Sequence, residues 1–584
     1  MDFMNAVKQQ NKTQDHNKIL TTNGAIAYSS LLNHFVDFNY GISNERYMPK
    51  SILKSRFAKL YDQNPVLATK LLFKIGDVRQ GDGERNIFKA GLEYLAEEHP
   101  YVATELLNLI PEYSRFDYAI ELATSLNPYV AKEARNFVVN TIQQDLDTLE
   151  NNKKADKEGG LTLCAKWMPS IQSKKAEDRK LALKLETALN PIMSAHGYGT
   201  GHRAYRHILS DLRGELNIIE KRMSQKTMDE LSVDDLSKLT SKQLLNNEAA
   251  LKEKLGDKWD KYQEKVANGE AEMNSSVNTP ADIVNKYTIN SFRVNDYSQN
   301  LENLWNNLND TMPDGVNAIV IRDGSGSMTS SIPNTSLRPL DIATALSIYM
   351  AEKLPGALKD KFITFSSKPE IVDMSNCNSL HDKLKLCYTY NDYSNTDIEA
   401  TFDLLLDTIV ANNMSQNDIP KNCVIVSDME FDQGTYQYSF TSDDKKVDAV
   451  LFESIKEKWN NAGYEMPTLI YWNVNTDRNI LPMMDAQKGV ILASGYSTNN
   501  LDLILGGDFG EQYMEEQLMT ILSKERYDAV EAAVNTAIET EKHFGTNGLC
   551  ITSYEKESLL HNFETNLEIE NDFDEYDEDY DKEL

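Results

Sequence analysis

Two rhythms of apolar residues divide the chain. From about Ile52 to Glu230, apolar positions recur at spacings of three and four, as in ILKSRFAKLYDQ, PVLATKLLFKIGDVR, ERNIFKAGLEYLAEEHP and PYVAKEARNFVVNTIQQDLDTL. That period puts apolar side chains on one face of a helix, and the breaks carry Pro, Asn or Gly, which start and stop helices. Helices of about 10–15 residues with short connections predict antiparallel pairs, stacked as a HEAT-like solenoid, open or closed into a ring, or gathered in a globular bundle. After Gly315 the rhythm changes. Short β-branched runs at Val316–Arg322, Phe362–Ser366, Asn422–Ser427, Thr468–Val474 and Gly489–Ala493 alternate with helical stretches such as DIATALSIYMAEKL. Buried strands alternating with helices predict a mostly parallel, doubly wound α/β sheet.

These patterns predict a division of the chain. Residues 1–50 form an N-terminal extension, 51–312 a helical solenoid, and 313–505 the α/β domain. Residues 506–563 are expected as helices packing back on the α/β domain, and 564–584 as a disordered tail. Within the solenoid, the very polar stretch of about 232–278 reads as exposed helices inserted between packed units. The Gly-rich GDVRQGDGER lacks a preceding strand and a closing Gly-Lys-Ser/Thr, so it reads as a structural turn rather than a phosphate loop. There Asp77 and Glu84 are expected to pair with Arg79 and Arg85.

Candidate chemistry starts where the apolar run AIVIR ends in Asp323-Gly324-Ser325-Gly326-Ser327-Met328. At the carboxyl edge of a parallel strand, where open α/β sheets bind ligands, this turn aims one carboxylate and two hydroxyls at one point. Further oxygen groups fall at the expected ends of neighbouring elements: Thr396 and Asp397 open a helix, and Asp428 closes the strand Asn422–Ser427. Asp323, Ser325, Ser327, Thr396 and Asp428 form a set of hard oxygen donors suited to Mg²⁺ or another divalent cation, with one position left for water or a partner's acidic group. The competing reading is a Ser/Gly loop in which Asp397 and Asp428 only cap helices. No His or Lys near the turn reads as a base for a serine nucleophile, so catalysis is not expected. His381 lies in another connection and is expected to be exposed.

Composition narrows the partners. The 584 residues carry 60 Lys and Arg against 90 Asp and Glu, a formal charge of −30, so any polyanion site must be a local basic surface. Between Leu161 and Glu230 the balance reverses, with 12 Lys and Arg against 8 acidic residues. Lys166, Arg203, Arg206, His207, Arg213, Lys221 and Arg222 are the candidates for that surface; the competing reading is solvated helix faces with weak ion pairs. The tail from Glu564 to Leu584 holds 11 acidic residues against Lys582 alone, a composition that resists folding. Five scattered cysteines without a CxxC pair argue against a disulfide framework or a zinc site. The polar N-terminus has no apolar core of a secretory signal, and no run is long enough to span a membrane. A cytoplasmic location is expected, or a virion-associated one if the source is viral.

DGSGSM, NTD and SDMEFD stand in the order of a von Willebrand factor type A domain with a metal-ion-dependent adhesion site (MIDAS). The helical half resembles the TROVE module of the Ro autoantigen. GDVRQGDGER, PEYSRFDY, AKWMPS, YRHILSDLR, TPADIVNKY and GYEMPTLIYWN are similar to those of an uncharacterised plant, fungal and viral family that joins these two halves. The resemblance implies that Ser325, Ser327 and Thr396 approach Mg²⁺ with their hydroxyls, while Asp323 and Asp428 act largely through water and hydrogen bonds. It implies a ribonucleoprotein scaffold binding small structured RNA on its helical surface, with no DNA sequence specificity and no membrane partner. The alternative is metal-dependent protein–protein interaction, or a structural virion role, without RNA.

Overall fold

The structure, a computed structural model, describes residues 18–545 apart from 21–25, 29–32, 43–47, 156, 158, 217–230, 291–292, 333–335, 366–367, 392–397, 429–454, 475–489, 496–497, 500 and 507–512. Two compact units emerge. Among the described residues, one holds Lys50–Val78, 85–216 and 525–545; the other holds 18–49, Arg79–Glu84 and Leu231–Lys524. The N-terminal region is thus mostly helical and the C-terminal region carries a mixed sheet, but the units cut across the segments expected from the sequence.

In the helical unit, seven of the helices are α1 (Lys50–Gln63), α2 (Pro65–Gly76), α3 (Arg85–Glu98), α4 (Pro100–Glu105), α5 (Pro128–Ala155), α6 (Ala176–Ala195) and α7 (Gly201–Glu215). Asn64 caps α2 by accepting from Leu67 N at 2.9 Å, with Pro65 in the first turn, where its missing N–H costs nothing. Each helix packs on the next in sequence: α1 on α2 and α3, α3 on α4, α4 on α5, α5 on α6 and α6 on α7. Their apolar faces bury Phe57, Leu71, Phe73, Phe88, Ile142, Leu185 and Leu212. The α2–α3 approach depends on Gly91, where a Cβ would come within 2.4 Å of Leu72 Cδ1.

The other unit is built on a six-stranded sheet of β1 (Ala318–Asp323), β2 (Lys361–Phe365), β3 (Ile371–Asp373), β4 (Asn422–Ser427), β5 (Thr468–Asn473) and β6 (Val490–Ser494). Its spatial order is β6-β5-β4-β1-β2-β3. Five strands are parallel, and β3 runs antiparallel to β2 at the edge. The sequence pattern missed β3 because three residues with one buried side chain carry no readable period. Strand order reverses beside β1, whose successor β2 lies on one side and β4 on the other, which makes the β1/β4 edge a topological switch point.

The stretch expected as an exposed polar insert belongs to this unit and packs into it. Leu236, Leu244, Leu251, Trp259 and Tyr262 are buried, the last two on α8 (Asp257–Ala267). On α8, Trp259, Tyr262 and Val266 make one apolar face, and polar residues cover the other. The following α9 (Pro280–Tyr287) and α10 (Gln299–Asn306) belong to the same unit, α9 packing on α11 (Pro339–Lys353) and α10 on α8 and α9. Buried Glu302 of α10 accepts from Leu380 N at 2.8 Å and His381 N at 3.0 Å, the first turn of α12 (Leu380–Thr389), and from Tyr287 Oη at 2.7 Å. A carboxylate at a helix N-terminus satisfies orphan donors and meets the positive end of the helix dipole. His381, expected to be exposed, is buried, its ring against Tyr287 and its Nε2 3.0 Å from Asn295 O.

The C-terminal helix α13 (Asp528–Phe544), expected against the α/β domain, packs instead on α2 and α4. It buries Val530, Val534 and Ala537 there. Just before it, Arg526 bonds Asp77 at 2.9 Å and Glu112 at 3.0 Å and lies 4.1 Å from the centre of the Tyr113 ring. Tyr113 Oη donates to Arg526 O, and Lys70 bonds Glu531 at 2.7 Å. Asp77 is fully buried, so its charge needs a partner in place. Arg526, far along the chain, supplies such a partner.

Candidate cation site and basic surface

The apolar run of β1 is buried at all six positions and ends at the switch point with Asp323. There the chain leaves the sheet through Gly324 and enters a single helical turn at Ser327–Thr329. Asp323 Oδ1 accepts from Ser325 N at 2.8 Å, which folds the turn back over the strand end. Its Oδ2 accepts from Ser427 Oγ, the last residue of β4, at 2.5 Å. Ser325 Oγ and Ser327 Oγ are 3.0 Å apart. Asp428 follows on β4 and is buried, as are Asp323 and Ser325. Parallel pairing of β1 with β4 brings Asp323, Ser427 and Asp428 to one edge although about a hundred residues separate them.

The donors here are two carboxylates and a pair of hydroxyls, all hard oxygen. Adjacent vertices of an octahedron with ligand distances of 2.0–2.1 Å lie about 2.9 Å apart, close to the spacing of the Ser325 and Ser327 oxygens. This arrangement could hold Mg²⁺ or a similar cation. Among the described residues, no group of three His, Cys, Asp or Glu is placed as metal ligands, so hydroxyls would carry much of any coordination. Burial pushes the Asp323 carboxyl above its ordinary range, against the hydrogen bonds from Ser427 and Ser325 and the nearby charge of Arg322. Thr396 and Asp397 lie outside the described residues.

Sequence reasoning missed two participants. Ser427 was read only as strand, because a serine ending an apolar run carries no mark of pointing at a carboxylate on another strand. Arg322 was hidden inside the run. It is fully buried, donating to Thr344 Oγ1 at 3.1 Å and Asn391 Oδ1 at 2.6 Å, with its guanidinium 5.3 Å from the centre of the Phe362 ring.

In the helical unit the expected basic residues separate. Arg203, Arg206 and His207 stand on the exposed face of α7, opposite buried Ala204, Tyr205, Ile208 and Leu212. Arg213 turns inward, donating to Ala165 O and Met168 O, both at 2.8 Å. Burial lowers its pKa. It braces the 165–168 turn and is not a surface cation. Tyr205 Oη donates to Pro169 O at 2.9 Å, and Arg115 lies 4.0 Å from the centre of the Trp167 ring. PEYSRFDY, AKWMPS and YRHILSDLR thus meet around one turn. Lys166 is half-buried, 5.6 Å from the Trp167 ring. Lys221 and Arg222 lie outside the described residues. A basic group absent from the expected set gathers Lys180 and Lys184 of α6 with Arg135 of α5: burial draws Lys184 downward, and the charges of Lys180 and Arg135 add to that. The spacing of four between the two lysines was visible; the approach of Arg135 was not.

Residues 317–543 match the family model of a domain of unknown function (DUF7788), and residues 21–113 and 130–315 match that of a second (DUF2828). The chain is 26% identical over 522 residues to the uncharacterized protein L728 of Acanthamoeba polyphaga mimivirus, spanning 84% of this chain and 85% of that one. It is also similar to the crystal structure of the Deinococcus radiodurans RO (RSR) protein, at 13% identity and a TM-score of 0.37, over 82% of this chain and 96% of that chain. Among the described residues, no helix is long and apolar enough to cross a membrane.

Proposed function

We propose that this protein is a non-catalytic scaffold with two docking functions. Its α/β unit, a von Willebrand factor A-type domain, holds a divalent cation that captures an acidic group of a protein partner. Its helical unit, a TROVE-like solenoid, carries small structured RNA on a basic surface. The observation that carries the reading is the convergence of Asp323, Ser325, Ser327 and Ser427 at the switch point, with buried Asp428 directly after β4. Ser325, Ser327 and Thr396 would supply hydroxyls to Mg²⁺, with Asp323 and Asp428 holding waters and hydroxyls in place. The cation supplies a Lewis-acidic position for a carboxylate oxygen. A serine nucleophile would need a base within hydrogen-bond reach. The hydroxyls of Ser325 and Ser327 face each other, His381 is committed to Asn295 O, and Asp323, which accepts from Ser427 Oγ, serves the cation in this reading.

RNA binding is supported by the exposed Arg203, Arg206 and His207 stripe and by the Arg135, Lys180 and Lys184 group, set in an acidic chain. Phosphate contacts by such residues would make affinity fall steeply with salt. Filter binding of a structured small RNA at 50 and 200 mM salt tests this. Retention at low salt that drops at high salt is expected; no retention at low salt leaves a cation-dependent protein adaptor as the remaining reading. A pull-down of protein partners with and without EDTA tests the other arm, and partners indifferent to both EDTA and Asp323→Ala would remove the cation from it.

A further inference from the structure

The residue directly before Asp323 is a fully buried arginine, and nothing in the donor set calls for one. An octahedral oxygen site needs negative or neutral donors, and a fixed positive charge beside it opposes the cation. Yet Arg322 is held there firmly. Nη1 donates to Thr344 Oγ1 on α11, Nη2 donates to Asn391 Oδ1, and the guanidinium lies over Phe362 of β2. It also lies against the turn: a Cβ on Gly324 would be 3.7 Å from Arg322 Nη2 and 3.9 Å from Asn391 Oδ1. A guanidinium keeps its proton in any protein environment, so this charge is permanent.

Taking the proposed cation site as its premise, we infer that Arg322 is a specificity-determining residue that makes capture of the cation and of a carboxylate ligand mutually dependent. Asp323 and Asp428 contribute two negative charges and Arg322 one positive, leaving a single net negative charge among these groups. A divalent cation then turns the cluster net positive, where the same two carboxylates without Arg322 would be neutral. The excess positive charge weakens retention of a cation alone and strengthens attraction for an anionic ligand that completes its coordination. Because the coupling is a free energy between two ligands, each must tighten the other by the same factor. Arg322 has no exposed surface, so it acts through the field and through the turn, not by touching the ligand.

The test uses the full chain and follows its thermal unfolding midpoint as Mn²⁺ is titrated, with and without acetate as the carboxylate probe. In the unaltered protein, acetate should tighten apparent Mn²⁺ affinity roughly tenfold or more, the effect of one unit charge about 12 Å away or nearer at an effective dielectric near 20. Arg322→Met should bind Mn²⁺ more tightly than the unaltered protein when acetate is absent and should lose most of the acetate effect. Arg322→Lys, which keeps the charge, should retain it. Equal Mn²⁺ affinity with and without acetate in the unaltered protein overturns the inference whether or not Arg322→Met folds, and so does an acetate effect that survives in Arg322→Met. Absence of any Mn²⁺-dependent shift, or a shift that persists in Asp323→Ala, overturns the cation site itself and is thereby told apart.

Discussion

The two units use their sequence motifs in opposite ways. In the α/β unit, DGSGSM delivers its side chains to a shared point: Asp323, Ser325 and Ser327 meet Ser427 and Asp428 at one edge. In the helical unit, the residues that read as a binding surface divide: Arg203, Arg206 and His207 stay exposed, while Arg213 turns inward to support the 165–168 turn. A strand end followed by a tight turn confines its side chains to a few ångströms. A helix instead offers every basic residue a choice between solvent and a neighbouring carbonyl, and packing makes that choice.

The comparison can be broken most forcefully at the Asp77–Arg526 pair. Arg526→Ala leaves Asp77 buried without this partner and should cost about 3–5 kcal/mol, because removing one member of a buried pair strands the other. Urea unfolding of the full chain measures it, and a loss under 1 kcal/mol would make the pair ornamental. On the other side, Asp323→Ala should abolish the stabilisation by saturating Mg²⁺, about 2.7 kcal/mol at a hundred times Kd. Calorimetry with and without 10 mM Mg²⁺ reads the difference, and equal shifts in both proteins would remove Asp323 from the site.

Arg213→Ala should lower stability by about 2 kcal/mol, since two charge-assisted bonds to half-buried carbonyls are lost. RNA affinity per folded molecule should stay unchanged. The doubly reversed Arg203→Glu/Arg206→Glu should do the converse: stability within about 0.5 kcal/mol of the unaltered protein, as for surface changes generally. Its RNA binding should weaken and its salt dependence should flatten. If Arg213→Ala weakened RNA binding as much as the double change, the division of α7 into a brace and a surface would fail.

Much of the architecture was legible in order. The five parallel strands stand within one or two residues of the runs that announced them, because buried β-branched stretches between turn residues have few other uses. The helices of 50–215 were equally plain. Less plain was allegiance. The Leu, Trp and Tyr spacing of 232–278 allowed helices, but its polar composition read as exposed, and nothing local in α9, α10 or α13 said which core would receive them. For the candidate site, the turn and Asp428 could be read from spacing, whereas Ser427 and Arg322 could not.

By itself the sequence determined periods, turns and neighbours along the chain: an Asp followed by alternating serines at a strand end, a helical face of Arg203, Arg206 and His207. These depend on backbone geometry over a few residues. Only the tertiary structure decided which charges face inward and whom they meet. The pairing of Asp77 with Arg526, the capping of α12 by Glu302 and the bonds of Arg322 to Thr344 and Asn391 join residues far apart in the chain. Such choices turn on desolvation. A buried charge must find a partner wherever the fold supplies one, and distance along the chain carries no information about where that is.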